Sequence, residues 1–583
     1  VRKGKNILAF IEYVTLITIK MREVSYFTDS SRADGASAVV TKTSFRMKTL
    51  CLLLLFGPVL VFSQTWPLLR TVDGDNFESV DALLPLRDGG TLIAGTYFGS
   101  SAFPDGTPSS GKADLFLASY DVNGDLNWFL EGGDQENETV SGLAELPNGD
   151  IAIAGSYWFN LPLGDTVLTT GSSVRSLFLA RLTPQGHLVW AKRLSGDGLK
   201  DIADVGVLPD SSIVIAGFFR NTLELGDSTL VTEAEPGSTS LFVAAYAPDG
   251  HLRWVSQAGG ADDLRITAMA VGPEGQIGVG GNFNGVSELA GTTLDAGFFN
   301  QDVFLATFSP TGIPLWARDL GGVIDDNLQD VAIDTAGNLY ATGNIIGVMN
   351  LSEDFSIESS NGNDDCFLVK YSADGIPLWG RALGGPDVQD GLSIAVQRDF
   401  VVIGGGFQGS IGWDGLGADV GEDGIIWGLI AAFTPDGDAR WLRTLPTNDF
   451  GLIECLAFSS EQQLYAGGSF GKTGAFNGET IPSDGPNSGF WGRLTDLLSP
   501  IPMDSEPEAV PVVAFPNPTK GKVQLANIPM NAKVSIFNAV GQPVGPSVSA
   551  TMTVDLSYLP KGWYVLRVEN ELGAIRTLRI LKQ

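Results

Sequence analysis

Residues able to do chemistry are few in this chain. Only two histidines occur, His187 and His251, and each follows the glycine of a short turn, in PQGH and PDGH. A metal site or a Ser-His-Asp relay needs a histidine beside particular partners. These two instead hold equivalent turn positions, where other copies of the motif carry Asp125, Ile313, Ile376 or Asp438. They read as solvated turn residues. Cys366 and Cys455 lie inside apolar runs with no base nearby in sequence, so neither is marked as a nucleophile. No catalytic residue is assigned, and a non-enzymatic role is favoured.

Acidic residues do recur, at Asp73, Asp75, Asp134, Asp197, Asp262, Asp263, Asp325, Asp326, Asp387 and Asp449. Carboxylates in such connections commonly cap tight turns. The functional alternative is calcium, a hard cation that takes carboxylate and carbonyl oxygens, and Asp262, Asp263, Asp325 and Asp326 are the candidate ligands. No other cofactor is expected. None of these runs has the spacing of an EF-hand loop. Paired carboxylates for glycoside hydrolysis would fit among so many acids, but nothing singles out a pair. Trp158, Phe159, Phe298, Phe299, Trp413 and Trp427 are the candidate ligand contacts, because aromatic faces suit sugars and peptides. The alternative is that they pack their own loops.

The elements that must position these groups form a repeat. Trp66, Trp128, Trp190, Trp254, Trp316, Trp379 and Trp441 are spaced 62, 62, 64, 62, 63 and 62 residues apart. Each of the later six ends a stretch such as LFLARLTPQGHLVW, two strands joined by a tight turn. A second hairpin recurs with it, clearest in VSGLAELPNGDIAIAGSY, and in each copy a glycine stands two residues before the end: Gly95, Gly155, Gly217, Gly281, Gly343, Gly405 and Gly468. Glycine inside a strand marks close approach of another backbone, as where inner strands crowd a central channel.

One unit thus supplies four strands, here called a, b, c and d, with the tryptophan on d. That suits a propeller blade. The last unit lacks strand d, while TWPLLRTV at 65–72 is a strand d with nothing before it. Joining them predicts an all-β ring of seven four-stranded blades over 64–498, closed by a composite blade that leaves no exposed edge. Cys366 and Cys455 then fall in non-adjacent blades, beyond disulfide reach. The b–c connections are long, and with the d–a connections they form the candidate binding face, since loops on a rigid scaffold carry function.

At LGGVIDDNLQDVAIDTAGNLYATGN, residues 320–344, the units resemble the bacterial seven-bladed-propeller (SBBP) repeat family. That resemblance implies a fold and little chemistry. Residues 499–511 read as a Pro-rich acidic linker. Beyond it, 512–583 is similar to the type IX secretion C-terminal sorting domain: Phe515, Pro516, Asn517 and Pro518 at its start, Ser535 to Asn538 and Gly541 in its middle, and Leu556, Leu559, Pro560, Gly562, Tyr564 and Val565 near its end. The resemblance implies a small Ig-like β-sandwich read by the outer-membrane translocon of Bacteroidota-type cargo, with secretion or attachment at the cell surface. Trp563 departs from the pattern, at a place where a small aliphatic residue is common.

The other end fits export. Met47 and Lys48 open a basic region, 50–62 is apolar, and small residues precede Gln64, so 47–63 reads as a signal peptide. Cys51 stands at the front of the apolar run, where lipidation is not expected. Residues 1–46 read as a gene-model extension or a disordered leader, and 7–19 is too short and too interrupted by Glu12 to cross a bilayer. No transmembrane segment is expected in the mature chain. With 36 Lys plus Arg against 67 Asp plus Glu and a net charge of −31, the chain repels phosphate backbones, which excludes nucleic acid as a partner. The reading that results is an exported propeller that binds a glycan or a surface protein. The alternatives are an extracellular enzyme on polysaccharide or peptide, using channel carboxylates, and a structural surface-layer component.

Overall fold

The computed structural model describes residues 66–494, apart from breaks at 101–102, 104–105, 107, 110–111, 171–173, 233–237, 260–262, 298–299, 323, 361–363, 414–415, 421–423 and 478. Beyond 512 it describes 513–515, 520, 522–526, 533–538, 542, 544, 548–549, 553–569 and 575–582. The expected leader, signal peptide and linker lie outside these residues. No helix among the described residues is long and apolar enough to cross a membrane.

Seven four-stranded antiparallel sheets follow one another along the chain. Blade 1 runs Glu78–Pro85, Thr91–Tyr97, Asp114–Tyr120, Leu126–Gly132; blade 2 runs Thr139–Glu145, Ile151–Tyr157, Ser176–Leu182, Leu188–Leu194. Blades 3 to 6 begin at Lys200, Leu264, Asn327 and Gln389. Blade 7 is the composite: Gly451–Phe458, Leu464–Phe476 and Glu479–Leu494 take Leu68–Val72 as their fourth strand.

Burial follows position in the blade. Strand b of blade 2, Ile151–Tyr157, is buried at every residue, whereas strand a, Thr139–Glu145, alternates. Strand b has other blades against both its faces, which is why it reads as a continuous apolar run. Strand a has one face on the central channel.

Every strand a carries a β-bulge at the same place. The extra residues are Asp81, Ser141, Ala203, Thr267, Gln329, Leu392 and Glu454. This accounts for the seven recurring glycines. Each faces the residue before the bulge, and a Cβ on any of them would overlap a strand-a carbonyl oxygen, that of Asp201 in the case of Gly217. The close approach is therefore made inside each blade, by its own bulge, and not between blades crowding the channel.

Strand d latches each blade to the next. The indole of Trp128 lies against Gly186 in the c–d turn of blade 2, and its Nε1–H donates to Pro184 O at 2.9 Å. Trp190 on Gly250, Trp316 on Gly375 and Trp379 on Gly437 repeat the arrangement, with Nε1–H donated to Pro248, Ala373 and Pro435. These glycines hold positive φ, from 74° to 88°, which the turn needs and a side chain resists. Trp66 breaks the expected equivalence. Leu68, not Trp66, pairs with Arg493 as Trp128 pairs with Ser119, and it is Leu68 that meets Gly124 in blade 1. Trp66 instead packs edge-on against Phe476 and Phe490 and exchanges hydrogen bonds with Asn477.

The b–c connections of blades 2 to 6 are themselves β-hairpins, and blade 7 extends its b and c strands to make one. Bridges tie four of these hairpins to residues one or two positions past strand d of the preceding blade, at Ser195 with Glu224, Gly321 with Asn350, Gly384 with Gly412, and Thr447 with Gly474. They staple blade junctions at the rim.

The C-terminal residues form a three-stranded sheet, Val513–Phe515, Lys522–Ala526, Thr553–Asp555, and a four-stranded one, Val548–Ser549, Lys533–Asn538, Gly562–Glu569, Ile575–Lys582. Val534, Ile536, Val554, Leu566 and Ile580 share one apolar core. Trp563 is exposed, so its departure from the sorting-domain pattern costs no packing.

Candidate functional site

The seven bulges bring side chains that are far apart in sequence into one ring. They line a central cavity of about 290 Å³ whose walls include Asp81, Asp204, Asp330 and Glu454. Two of the residues that follow a bulge, Asp330 and Ser393, accept hydrogen bonds from the next blade. Asp330 Oδ2 in blade 5 accepts from Ile394 N at 2.8 Å and from Ser393 Oγ at 3.1 Å in blade 6, and Ser393 Oγ in turn accepts from Leu456 N of blade 7 at 3.1 Å. Cys455 passes the pattern on by donating to Val80 O of blade 1. Blade 2 has Gly142 at this position and offers no acceptor. Asp204 of blade 3 therefore turns its own carboxylate to Val205 N at 2.6 Å, into space that a side chain on Gly142 would fill.

These carboxyls line the cavity yet are ringed by protein, and loss of bulk solvation raises all four. Asp330 is pushed up to about 6, and Asp204 further above its usual range by burial and by the charge of Asp330. Burial also raises Glu454 and Asp81, which hydrogen-bond each other across the seam between blades 7 and 1. Like charges at that distance cannot both ionise, so Glu454 holds a proton and Asp81 accepts it. Ser469 Oγ donates to Glu454 at 2.6 Å, and Ser79 Oγ to Asp81 at 2.6 Å.

A second acidic site lies on the rim between blades 4 and 5. A groove of about 520 Å³ is walled by Asp295, Asp302, Arg318 and Asp319 of blade 4, and by Asn350, Ser352 and Glu353 of the blade 5 hairpin. Asp302 is the second residue of strand c of blade 4, Gln301–Phe308. Its carboxylate lies over Gly321, where any side chain would overlap it, and accepts from Gly322 N. Burial raises Asp302 to about 7, with Asp319 adding to the shift. Asp326, just before strand a of blade 5, is raised to about 8 by burial, and the charge of Asp302 contributes. Asp326 N donates to Gln301 O at 2.8 Å, which sets the two acids side by side.

Of the four acids expected to bind calcium, Asp262 lies outside the described residues. Asp263 is held by Arg265 at 2.6 Å and Arg220 at 3.3 Å. Asp325 Oδ1 accepts from Gln301 N at 2.8 Å, and Asp326 Oδ1 from Ile346 N at 3.2 Å. Other acids of the d–a connections tie to the b–c connection of the blade they introduce, as Asp75 does with Ser100 and Asp134 with Asn160. Among the described residues no three His, Cys, Asp or Glu side chains converge on one metal position.

The aromatic candidates are dispersed. Trp158 lies under the Arg175 guanidinium at 5.2 Å, and Phe159 takes a positive φ of 55° at the start of the blade 2 hairpin. Trp413 stacks on Phe433, and Trp427 opens strand c of blade 6 with its Nε1–H on Thr447 O. Phe298 and Phe299 lie outside the described residues. Cys366 and Cys455 are free and buried, in blades 5 and 7. Sequence reading missed Asp81, Asp204, Asp330 and Glu454. The available signal was position, since each stands at or just after the bulge that faces a recurring strand-b glycine.

In the C-terminal sheets, Tyr564 Oη donates to Pro560 O at 2.8 Å, Gly562 opens the strand Gly562–Glu569, and Lys582 Nζ donates to Ser557 O at 2.7 Å. Pro516, Asn517, Pro518 and Gly541 lie outside the described residues.

Residues 513–582 match the family model of the secretion system C-terminal sorting domain. An uncharacterized WD repeat-containing protein of Acanthamoeba polyphaga mimivirus is 21% identical over 371 residues, 51% of this chain and 26% of that protein. The regulatory protein FlaEY of Caulobacter vibrioides is 25% identical over 161 residues, 27% of this chain and 17% of that protein. The chain thus spans about a quarter or less of the length of these curated relatives. Among solved structures, Kuenenia stuttgartiensis hydrazine synthase aligns at a TM-score of 0.38 and 10% identity, covering 68% of this chain and 94% of that one. PorZ, a surface component of the type IX secretion system of Porphyromonas gingivalis, aligns at 0.19 and 11%, covering 88% and 100%. The chain is a seven-bladed β-propeller that carries a type IX secretion C-terminal sorting domain and is exported to the cell surface or the extracellular space.

Proposed function

We propose that the exported propeller is a binding module for a glycan or a protein, displayed or released by the type IX system. The observation that carries this reading is the rim groove between blades 4 and 5. It is walled by carboxylates, an amide, a hydroxyl and the Arg318 guanidinium, groups that hydrogen-bond sugar hydroxyls or peptide side chains in a concave site. The hairpin that forms one wall is stapled to blade 4 through Asn350 N and Gly321 O, at 2.9 Å. A pre-formed wall spares the ordering cost of binding. An extracellular enzyme is the second reading, supported by the proton shared between Asp81 and Glu454 in the channel, since paired carboxyls of unequal proton affinity can act as acid and base. The test is to screen the mature chain against glycan and matrix-protein arrays while following release of products from the same polysaccharides. Saturable binding without turnover supports the module. Turnover that disappears in Glu454→Gln supports the enzyme and overturns the first reading.

A further inference from the structure

We propose that Asp302 and Asp326 hold a calcium-sized divalent cation at the junction of blades 4 and 5. Ile346 N fixes Oδ1 of Asp326 at 3.2 Å, and the Gly322 amide lies against the Asp302 carboxylate. One oxygen of each acid, Oδ1 of Asp302 and Oδ2 of Asp326, is buried without any hydrogen-bond partner. The residues are only 5% and 1% exposed, respectively. A buried carboxylate oxygen without a donor is costly, and two side by side repel. A cation between them removes both penalties.

The repeat supplies an independent comparison. Asp326 stands two residues before Leu328, which faces the bulge glycine Gly343, and Lys200 stands two residues before Ile202, which faces Gly217. Asp302 likewise corresponds to Ser176, two residues ahead of the partner of the strand-b glycine. At the junction of blades 2 and 3 the acid pair is thus replaced by a serine and a fully buried lysine, whose ammonium donates to Arg175 O at 2.9 Å and Gly198 O at 3.0 Å. One junction carries its own cation, surrounded by carbonyl oxygens. The equivalent place at the other presents two carboxylates and, among the described residues, no such cation. Oxygen-only surroundings select a hard ion, and calcium completes its shell with carbonyls and water where magnesium resists losing its own water. The two carboxylates would be its charged ligands, with carbonyl and water oxygens making up the rest of the shell. The inference does not depend on what the groove above it binds.

The test uses the whole mature chain, calcium chloride and magnesium chloride as probes, and two variants, Asp326→Asn and the pair Asp302→Ser with Asp326→Lys. Calorimetry should show saturable calcium binding, with Tm raised by a few degrees at about 100 times Kd and magnesium at least ten times weaker. In Asp326→Asn the calcium affinity should fall at least tenfold. The double variant, which copies the junction of blades 2 and 3, should fold, lose this binding event, and show a Tm that chelator no longer changes. No saturable calcium binding by the wild-type chain overturns the proposal. So does a folded double variant that binds calcium with unchanged stoichiometry and affinity.

Discussion

Leu68, near the first described residue of the ring, pairs in register with Arg493, near its last. The ends of the propeller are joined by a β-ladder from Leu68–Arg493 to Val72–Gly489, with Leu68 and Val72 buried at 6% and 2% exposure. Deleting 66–72 should therefore cost roughly 3 kcal/mol or more, from two buried aliphatic side chains and a newly exposed sheet edge. All seven blades should lose stability together. Urea unfolding followed by tryptophan fluorescence and by far-UV circular dichroism checks this, and an unchanged midpoint would remove Leu68–Val72 from the ring.

The seven bulge glycines differ in kind from glycines at hairpin turns. Gly217→Ala drives a Cβ into the Asp201 carbonyl and should cost about 3 kcal/mol, because strand a must move or lose its bulge. Gly291→Ala meets open space and only resists its φ of 74°, so about 1 kcal/mol is expected. Comparing the two variants by denaturant midpoint is the check. Equal costs would mean that the bulge does not require glycine.

The ring was legible because its signals are local: Pro-Asn-Gly type turns, seven strand-b glycines and a tryptophan on strand d. Its closure was legible by counting strands. What sequence hid was register. Trp66 keeps the 62-residue spacing to Trp128, yet Leu68 fills the position, because pairing with Arg493 sets the register and spacing alone does not. The channel acids were hidden for a related reason. Asp81 and Glu454 are at opposite ends of the ring sequence and meet only at the closing seam, and Asp204 and Asp330 face the channel only because a bulge rotates them there. The d–a acids were visible. Asp302, which sits beside Asp326, was not, since it is the second residue of strand c, directly ahead of an apolar run.

The channel should make stability fall as pH rises. Burial lifts Asp330 to about 6 and Glu454 to about 8, so the folded chain binds more protons than the unfolded chain above the ordinary carboxylate range. The stability these groups contribute is complete below about pH 4 and is lost progressively as pH rises through 8. Glu454→Gln keeps the acceptor for Ser469 and removes the charge. It should match wild type near pH 4.5 and exceed it by about 1 kcal/mol at pH 8.5, a figure reduced for channel water. Melting curves at the two pH values test this. An identical pH dependence in wild type and variant would show that Glu454 ionises freely.

Export should depend on the C-terminal sheets. A chain ending before Val513 should fold its propeller and accumulate in the periplasm, because it lacks the residues that match the secretion system C-terminal sorting domain, 513–582. Fractionation and immunoblotting of cells bearing the truncated gene check this. Normal surface display of the truncation would separate export from the sorting domain.

The most direct measurement of the binding reading is a saturation isotherm of the mature chain on the strongest array ligand, comparing wild type, Asn350→Ala with Ser352→Ala, and Glu454→Gln. The account predicts at least a tenfold loss of affinity in the groove variant, where two hydrogen-bonding groups worth roughly 1 kcal/mol each are removed, and no change in Glu454→Gln. Unchanged affinity in the groove variant, with binding or turnover lost in Glu454→Gln, would contradict it and place function in the channel.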